Sequence, residues 1–209
     1  MNKADRLRDL EKEIAADKSL PLQGANLVFG EGNINCAVLF IGEAPGAKED
    51  ELKRPFVGRS GQLLDKNLEK IGWKRADVYI TNIVKRRPPE NRDPSPKEIA
   101  AYKPYLTKQI KIIQPKIIVT LGRFSMNYFL PEGKISRDQG KIFSAGGLPA
   151  YGGAKGDQGG SSFGGEEYLL MPMFHPAAAM RGTRVMKEFE KTFRRLPKLV
   201  RKAAELPKK

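Results

Sequence analysis

The residues in this sequence best placed to do chemistry begin with a crowd of acids. In "FIGEAPGAKED", residues 40–50, an apolar run reaches Gly42, then Glu43, a Pro-Gly turn, and two further acids, Glu49 and Asp50. A Gly-rich turn after a strand invites a phosphate-cradle reading, but a phosphate loop needs unencumbered backbone amides and usually a lysine. Three carboxylates make this turn repulsive to a bare phosphate. What remains is a site for an uncharged group, or a turn capped by Glu43 with Glu49 and Asp50 solvated.

Three more residues stand out. Asn82 closes "YITN", and its amide presents one acceptor and two donors. That set matches the N3–H and O4 edge of uracil. Cytosine offers the opposite pattern and would leave buried groups unpaired, a fault that discriminates by roughly 10⁴ or more. The competing reading is an asparagine that caps the following turn. His175, in "MFHPAAAMR", lies between an apolar run and a proline-fixed turn, as a catalytic imidazole or a satisfied structural one. Phe56, in "RPFVGRSG", is an aromatic in a Gly/Pro loop. Such a face can stack a base, worth roughly 1–3 kcal/mol, or anchor the loop against the next helix.

The elements that position these residues follow from periodicity. Leu7, Leu10 and Ile14 at helical spacing predict an amphipathic helix over 4–16. "CAVLFIG" reads as a buried strand. Ser60 stands where an N-cap belongs, before a helix that turns Leu63, Leu64, Leu68 and Ile71 inward. "DVYITNIVK" is a second strand, followed by the proline-studded "RRPPENRDPSP", which continues neither a helix nor a central strand. Residues 96–113 are helical again, with Pro104 expected to bend or interrupt them. "KIIVTLG" is a third strand, with a short helix after it through Phe129.

The Gly/Ser-rich stretch 144–165 carries too little apolar surface to offset the entropy of ordering, and reads as a loop between strands "KIFS" and "EYLLMPMF". A last helix from Thr183 buries Val185, Phe189, Phe193 and Leu196 and presents a basic face. Pro197 is expected to kink it, before a Lys-rich tail. Strands alternating with helices predict βαβ units in a mostly parallel sheet covered on both faces. Ligand sites in such sheets lie beyond the carboxyl ends of the strands, where Glu43, Asn82 and His175 fall.

Composition sets the class. The 209 residues suit a single α/β domain, with a Gly-rich loop and a basic C-terminal helix and tail. One cysteine, Cys36, and one histidine leave no disulfide framework and little for zinc. No apolar run approaches the ~18 residues of a membrane span, and the charged start differs from a signal peptide; a cytoplasmic, soluble protein is expected. The 38 Lys and Arg against 24 Asp and Glu give net charge +14, which suggests a polyanionic partner, most simply nucleic acid.

With these pieces in order, the sequence resembles the family 4 uracil-DNA glycosylases over about residues 20–195, through "VFGEG", "IGEAPGAKED", "PFVGRSGQLLDKNLEKIGW", "VYITNIVKRRPPENRDPSPKEI", "PKIIVTLG", "ISRDQGK" and "HPAAAMR". The resemblance implies a three-layer α/β/α fold around a four-stranded, mostly parallel sheet. It implies that the backbone at Glu43 and Ala44 contacts a flipped base, Phe56 stacks on it and Asn82 reads its edge. It also implies that Glu49 brings a carboxylate near the anomeric carbon and that His175 faces uracil O2. The tip of "PAAAMR", Ala179 or Met180 beside Arg181, would fill the vacated stack, while Arg59, Ser60, Lys85 and Arg87 would meet phosphates. The partner would be uracil-containing DNA, single- or double-stranded, met by a monomer.

The chain departs from the family in places. Four cysteines that hold an iron–sulfur cluster in family 4 correspond to positions near Asp17, Leu20, Arg86 and Tyr102, none of them cysteine. A four-thiolate cluster is therefore excluded and no cofactor is expected; packing by Leu20 and Tyr102 and a pair between Arg86 and Asp17 or a neighbouring acid would replace it. Pro88 and Pro89 stand where a related branch has a uracil-capturing histidine, so turnover is expected. Gly46 stands where another family places a bulky residue against the thymine methyl, which leaves the choice of base open. A glycosylase for hypoxanthine or xanthine, or an inactive DNA-binding member of the superfamily, are the alternatives.

Overall fold

The apolar strands find each other as their pattern requires, in a computed structural model that describes residues 1–146 and 167–205. Most of the Gly-rich stretch 144–165 and the Lys-rich tail lie outside the described residues. Asn2 caps α1 (Lys3–Ala16) by accepting from the Asp5 amide, and Leu7, Leu10 and Ile14 are buried on one face. The chain continues through β1 (Glu31–Gly32), β2 (Val38–Gly42), α2 (Ala47–Leu52), α3 (Arg59–Lys70) and β3 (Tyr79–Asn82) to α4 (Pro96–Ile113). It proceeds through β4 (Ile117–Leu121), α5 (Arg123–Phe129), α6 (Ile135–Asp138), β5 (Phe143–Gly146) and β6 (Glu167–Met173). After these come α7 (Pro176–Ala179), α8 (Thr183–Phe193) and α9 (Leu196–Glu205).

The sheet has the order β1-β3-β2-β4-β6-β5. Its four central strands, β3-β2-β4-β6, are parallel, as expected. The edges β1 and β5 are antiparallel additions; β1, at two residues, is too short to leave a periodic signal. Strand residues alternate between two cores. Leu39, Ile41, Ile118 and Leu170 pack with α1, α4 and α5, while Phe40, Ile80, Val119 and Met171 pack with α3, α8 and α9. Both faces being covered explains why β2 and β4 read as continuous apolar runs. From β2 the chain crosses to β3 on one side and then to β4 on the other, so the switch point lies at the carboxyl end of β2.

Several local expectations are corrected. The N-cap of α3 is Gly58, with Ser60 already inside the first turn. α4 runs unbroken through Pro104; both Pro104 and Ala100, whose carbonyl the proline ring leaves unpaired, are exposed, so water can satisfy the lost bond. The α4 start is a capping box, Ser95 Oγ accepting from the Glu98 amide and Glu98 Oε2 from the Ser95 amide. Arg92 grips the same Glu98 at 2.8 and 2.6 Å, tying the proline loop to the helix. The break near Pro197 falls before it, between Phe193 and Leu196, because proline fits the first turn of a helix, where an amide needs no partner.

Lys85 is the largest correction. It is not a surface phosphate contact but wholly buried (0% exposed). Its Nζ donates to Thr81 Oγ1 at 2.5 Å and Gln109 Oε1 at 2.6 Å, while Thr81 Oγ1 donates to the Phe29 carbonyl at 2.8 Å. Burial pulls the amine's pKa well below its usual value. The group joins β3, α4 and the 28–30 segment, whose Val28 amide donates to the Lys85 carbonyl at 2.8 Å. Lys85→Ala should lower unfolding free energy by about 2–4 kcal/mol through a cavity and unpaired acceptors, measured by denaturant titration. The salt dependence of DNA binding by the folded variant should not change, whereas loss of a phosphate contact would reduce its slope by about one.

Candidate active site

The carboxyl ends of β2, β3 and β6 bring the expected residues together. A β-carbon at Gly42 would lie 2.4 Å from Asn82 Oδ1 and 2.5 Å from the Phe56 ring, so the strand end, the amide and the ring converge on one spot. The Phe56 and His175 ring centroids are 5.8 Å apart at 37°. Behind His175 runs Gly122, at φ +96°, where a β-carbon would meet His175 Cβ at 3.1 Å. Glycine therefore serves both the backbone conformation and the room for the imidazole.

Asn82 is 1% exposed, and its Oδ1 has no hydrogen-bond partner. A buried carbonyl oxygen left unpaired is costly, and this one stands beside the Phe56 ring and the backbone of Gly42. The end of β3 thus carries a buried acceptor without a donor.

His175 caps α7: its Nδ1 accepts from the Ala177 amide at 3.1 Å. In a neutral ring that places the proton on Nε2. Burial, aided by the positive charge of Arg181 and opposed by Glu49, holds the imidazole's pKa down to about 4. Near neutral pH the ring is an uncharged Nε2–H donor.

Glu49 is buried at the first turn of α2. Its Oε1 accepts from the amides of Val57 at 2.9 Å and Gly58 at 2.7 Å, at the start of α3. The carboxylate thus braces the Phe56 loop, a structural task the sequence did not show. Its Oε2 lies against Gly46, 2.9 Å from where a β-carbon there would stand. Gly46 is small because the Glu49 carboxylate fills the adjoining space.

Glu43 is half-buried just past β2. Burial, reinforced by the negative charge of Asp93 and opposed by Arg123, pushes its carboxyl up to about 7. Asp93 and Arg123 form an exposed ion pair at 2.6 Å that joins the proline loop to α5. Neither had stood out in the sequence, where each is one charge among many. Ala44, half-buried, packs on the core under α4.

The outer residues divide. Arg59 is exposed and Ser60 half-buried in the first turn of α3, and Arg181 is exposed. Arg87 is half-buried, its Nε bonded to Asn91 Oδ1 at 2.8 Å. Ala179 is 1% exposed and packs in the core, so the projecting tip of the "PAAAMR" loop is Met180, at 38%.

The sequence profile described as the Uracil DNA glycosylase superfamily matches residues 29–197, and the chain belongs to that superfamily. Among its relatives are several type-4 proteins. It is 39% identical over 203 residues to the type-4 uracil-DNA glycosylase of Sulfurisphaera tokodaii, covering 93% of this chain and 85% of that one. The type-4 uracil-DNA glycosylase of Archaeoglobus fulgidus is 35% identical over 202 residues, 93% and 94% of the two chains. That of Thermotoga maritima is 41% identical over 162 residues, 78% and 76%.

The positions corresponding to the family's cluster cysteines do not fit such a group. Arg86 donates to the Ala25 carbonyl at 2.5 Å and hydrogen-bonds the Tyr102 hydroxyl. Tyr102 in turn donates to the Pro21 carbonyl at 2.8 Å. Leu20 is buried. Asp17 pairs not with Arg86, as the sequence had suggested, but with Ser19 and the Tyr105 hydroxyl. No thiolate is among them, and Cys36 lies apart, its thiol pushed up to about 11 by burial. Among the described residues no group of three or more His, Cys, Asp or Glu is placed to hold a metal ion.

The Glu43 and His175 shifts oppose each other. Glu43's raised pKa contributes stability that is present below its unfolded value and lost as pH rises through about 7. His175's depressed pKa contributes stability that is present above its unfolded value and lost as pH falls through about 4. Glu43→Gln should therefore stabilise the fold by roughly 2 kcal/mol at about pH 8, and by little at about pH 4. Denaturant midpoints at the two pH values check this.

Proposed function

We propose that this protein is a monofunctional glycosylase that flips uracil out of DNA and hydrolyses its N-glycosidic bond, starting base excision repair. The unpartnered, buried Oδ1 of Asn82 is the observation that carries the reading. It accepts the uracil N3–H while Nδ2 donates to O4, and the backbone at Glu43 and Ala44 lines the same edge. Cytosine has no N3 proton to give, so it would leave this oxygen unpaired and set its own amino group against Nδ2.

A base inside a duplex cannot be reached, so the nucleotide leaves the stack at a cost of a few kcal/mol. Phe56 offers the face on which the extruded base stacks, and Met180 fills the gap left behind. Breaking the C1′–N1 bond leaves positive charge on the sugar and negative charge on the base. His175 donates its Nε2 proton in a hydrogen bond to uracil O2, where the negative charge grows. Glu49, with Oε1 held by two amides, turns Oε2 to the sugar, where it favours the cation and orients the water that adds to C1′. Arg59, Ser60, Arg87 and Arg181 meet phosphates, and the +14 net charge draws DNA in by a salt-sensitive term.

The protein acts as a cytoplasmic monomer, on single- or double-stranded DNA, without a cofactor; no helix among the described residues is long and apolar enough to cross a membrane. The residues at Asp17, Leu20, Arg86 and Tyr102 support the cofactor-free reading, since none carries a thiol, Arg86 bonds Tyr102 and the Ala25 carbonyl, and Tyr102 bonds the Pro21 carbonyl. The pure protein should show no visible absorbance, and a sulfur-to-iron band would overturn this part.

Excision is tested on oligonucleotides holding uracil, hypoxanthine, xanthine or thymine. Uracil should be released fastest. His175→Ala should slow single-turnover release by about 10²–10³, and Asn82→Ala by a comparable factor. Faster release of hypoxanthine or xanthine would reassign the substrate, and release of no base would leave only a DNA-binding role.

A further inference from the structure

Phe56 adopts φ +52°, a left-handed conformation in which a residue with a side chain persists only where its surroundings over-determine it. Two groups do so from opposite sides. Glu49 takes the amides just after Phe56, those of Val57 and Gly58. Arg75, in the single turn Arg75–Asp77 before β3, takes the carbonyls at and before it. Its Nη1 donates to the Phe56 carbonyl at 3.1 Å and to Asp65 Oδ1 at 2.8 Å; Nη2 donates to the Pro55 carbonyl and Nε to the Glu31 carboxylate. The Phe56 carbonyl has no slack on its other side, since a β-carbon at Gly61 would lie 1.7 Å from it.

From this we infer that Arg75 is a positioning residue for base capture: its guanidinium fork fixes the two carbonyls that set the backbone at Phe56, and so the plane of the ring. The inference rests on the stacking role given to Phe56. Glu31 and Asp65 neutralise the guanidinium and aim it, and Arg54 holds Glu31 at 2.7 Å. Five donors in a rigid plane can span two successive carbonyls and two carboxylates. A lysine ammonium has the charge without that geometry.

The test measures inhibition by free uracil and single-turnover excision for Arg75→Ala, Arg75→Lys, Phe56→Ala and the double variant Arg75→Ala with Phe56→Ala, each first shown to be folded by circular dichroism. Lys70→Ala, which removes an exposed ion pair with Glu190, is the control for a surface charge lost from α3. Phe56→Ala and Arg75→Ala should each raise the uracil inhibition constant about 10-fold. Arg75→Lys should rescue little of it, and Arg75→Ala should add almost nothing once Phe56 is alanine. An unchanged constant in Arg75→Ala, full rescue by lysine, or additive losses in the double variant would overturn the inference while leaving the stacking role intact. An unchanged constant in Phe56→Ala would overturn the stacking role and this inference with it. Should Arg75→Ala not fold, the lysine variant alone and with Phe56→Ala decides by the same comparison.

Discussion

No β-carbon fits at Gly42, because Asn82 Oδ1 and the Phe56 ring already occupy its place. The rest of the site depends on that exclusion. The Asn82 amide and the Phe56 ring meet over bare backbone, so their approach is set by the peptide of β2. That strand is buried and paired on both sides, with β3 and β4, so the backbone beneath Asn82 and Phe56 is held from both edges. Phe56 and His175 arrive on turns: the backbone at Phe56 is held by Glu49 and Arg75 from other segments, and His175 by the Ala177 amide with Gly122 behind it.

Glu49 shows how structure and chemistry share a side chain. One oxygen terminates α3 by accepting two amides, and this keeps the other oriented without help from solvent. The arrangement has a cost. An amide in its place could still offer one oxygen to Val57 and Gly58, but would carry a donor where the second carboxylate oxygen now stands.

Much of this was legible in the sequence. Parallel strands buried on both faces leave apolar runs, and the residues just past their carboxyl ends are limited in number; Glu43, Asn82 and His175 followed from that rule. The ring at 56 was noticeable because a polar Gly/Pro loop does not explain it. What escaped was set by contacts between distant segments. Lys85 lies in a basic run, Lys85–Arg87, and nothing local distinguishes it from a surface charge; only Thr81, Gln109 and the Phe29 carbonyl, assembled by folding, make its burial possible. Ser60 and Gly58 are both acceptable caps, and the Glu49 carboxylate, reaching from another helix, decided between them. The role of Arg75 is invisible for the same reason, since four of its partners come from three separate stretches of chain.

The pocket gathers residues 42–58, 82, 122 and 175, and the last of these follows β6, which completes the parallel centre by pairing with β4. Contacts between segments so far apart in sequence close late in folding, because the entropy of the intervening loops is lost before they form. The cluster of Asn82, Phe56 and His175 is therefore complete only once β6 has paired with β4 and brought His175 beside Phe56 and Gly122. The geometry at the strand ends is thus a property of the parallel centre as a whole, not of any one loop.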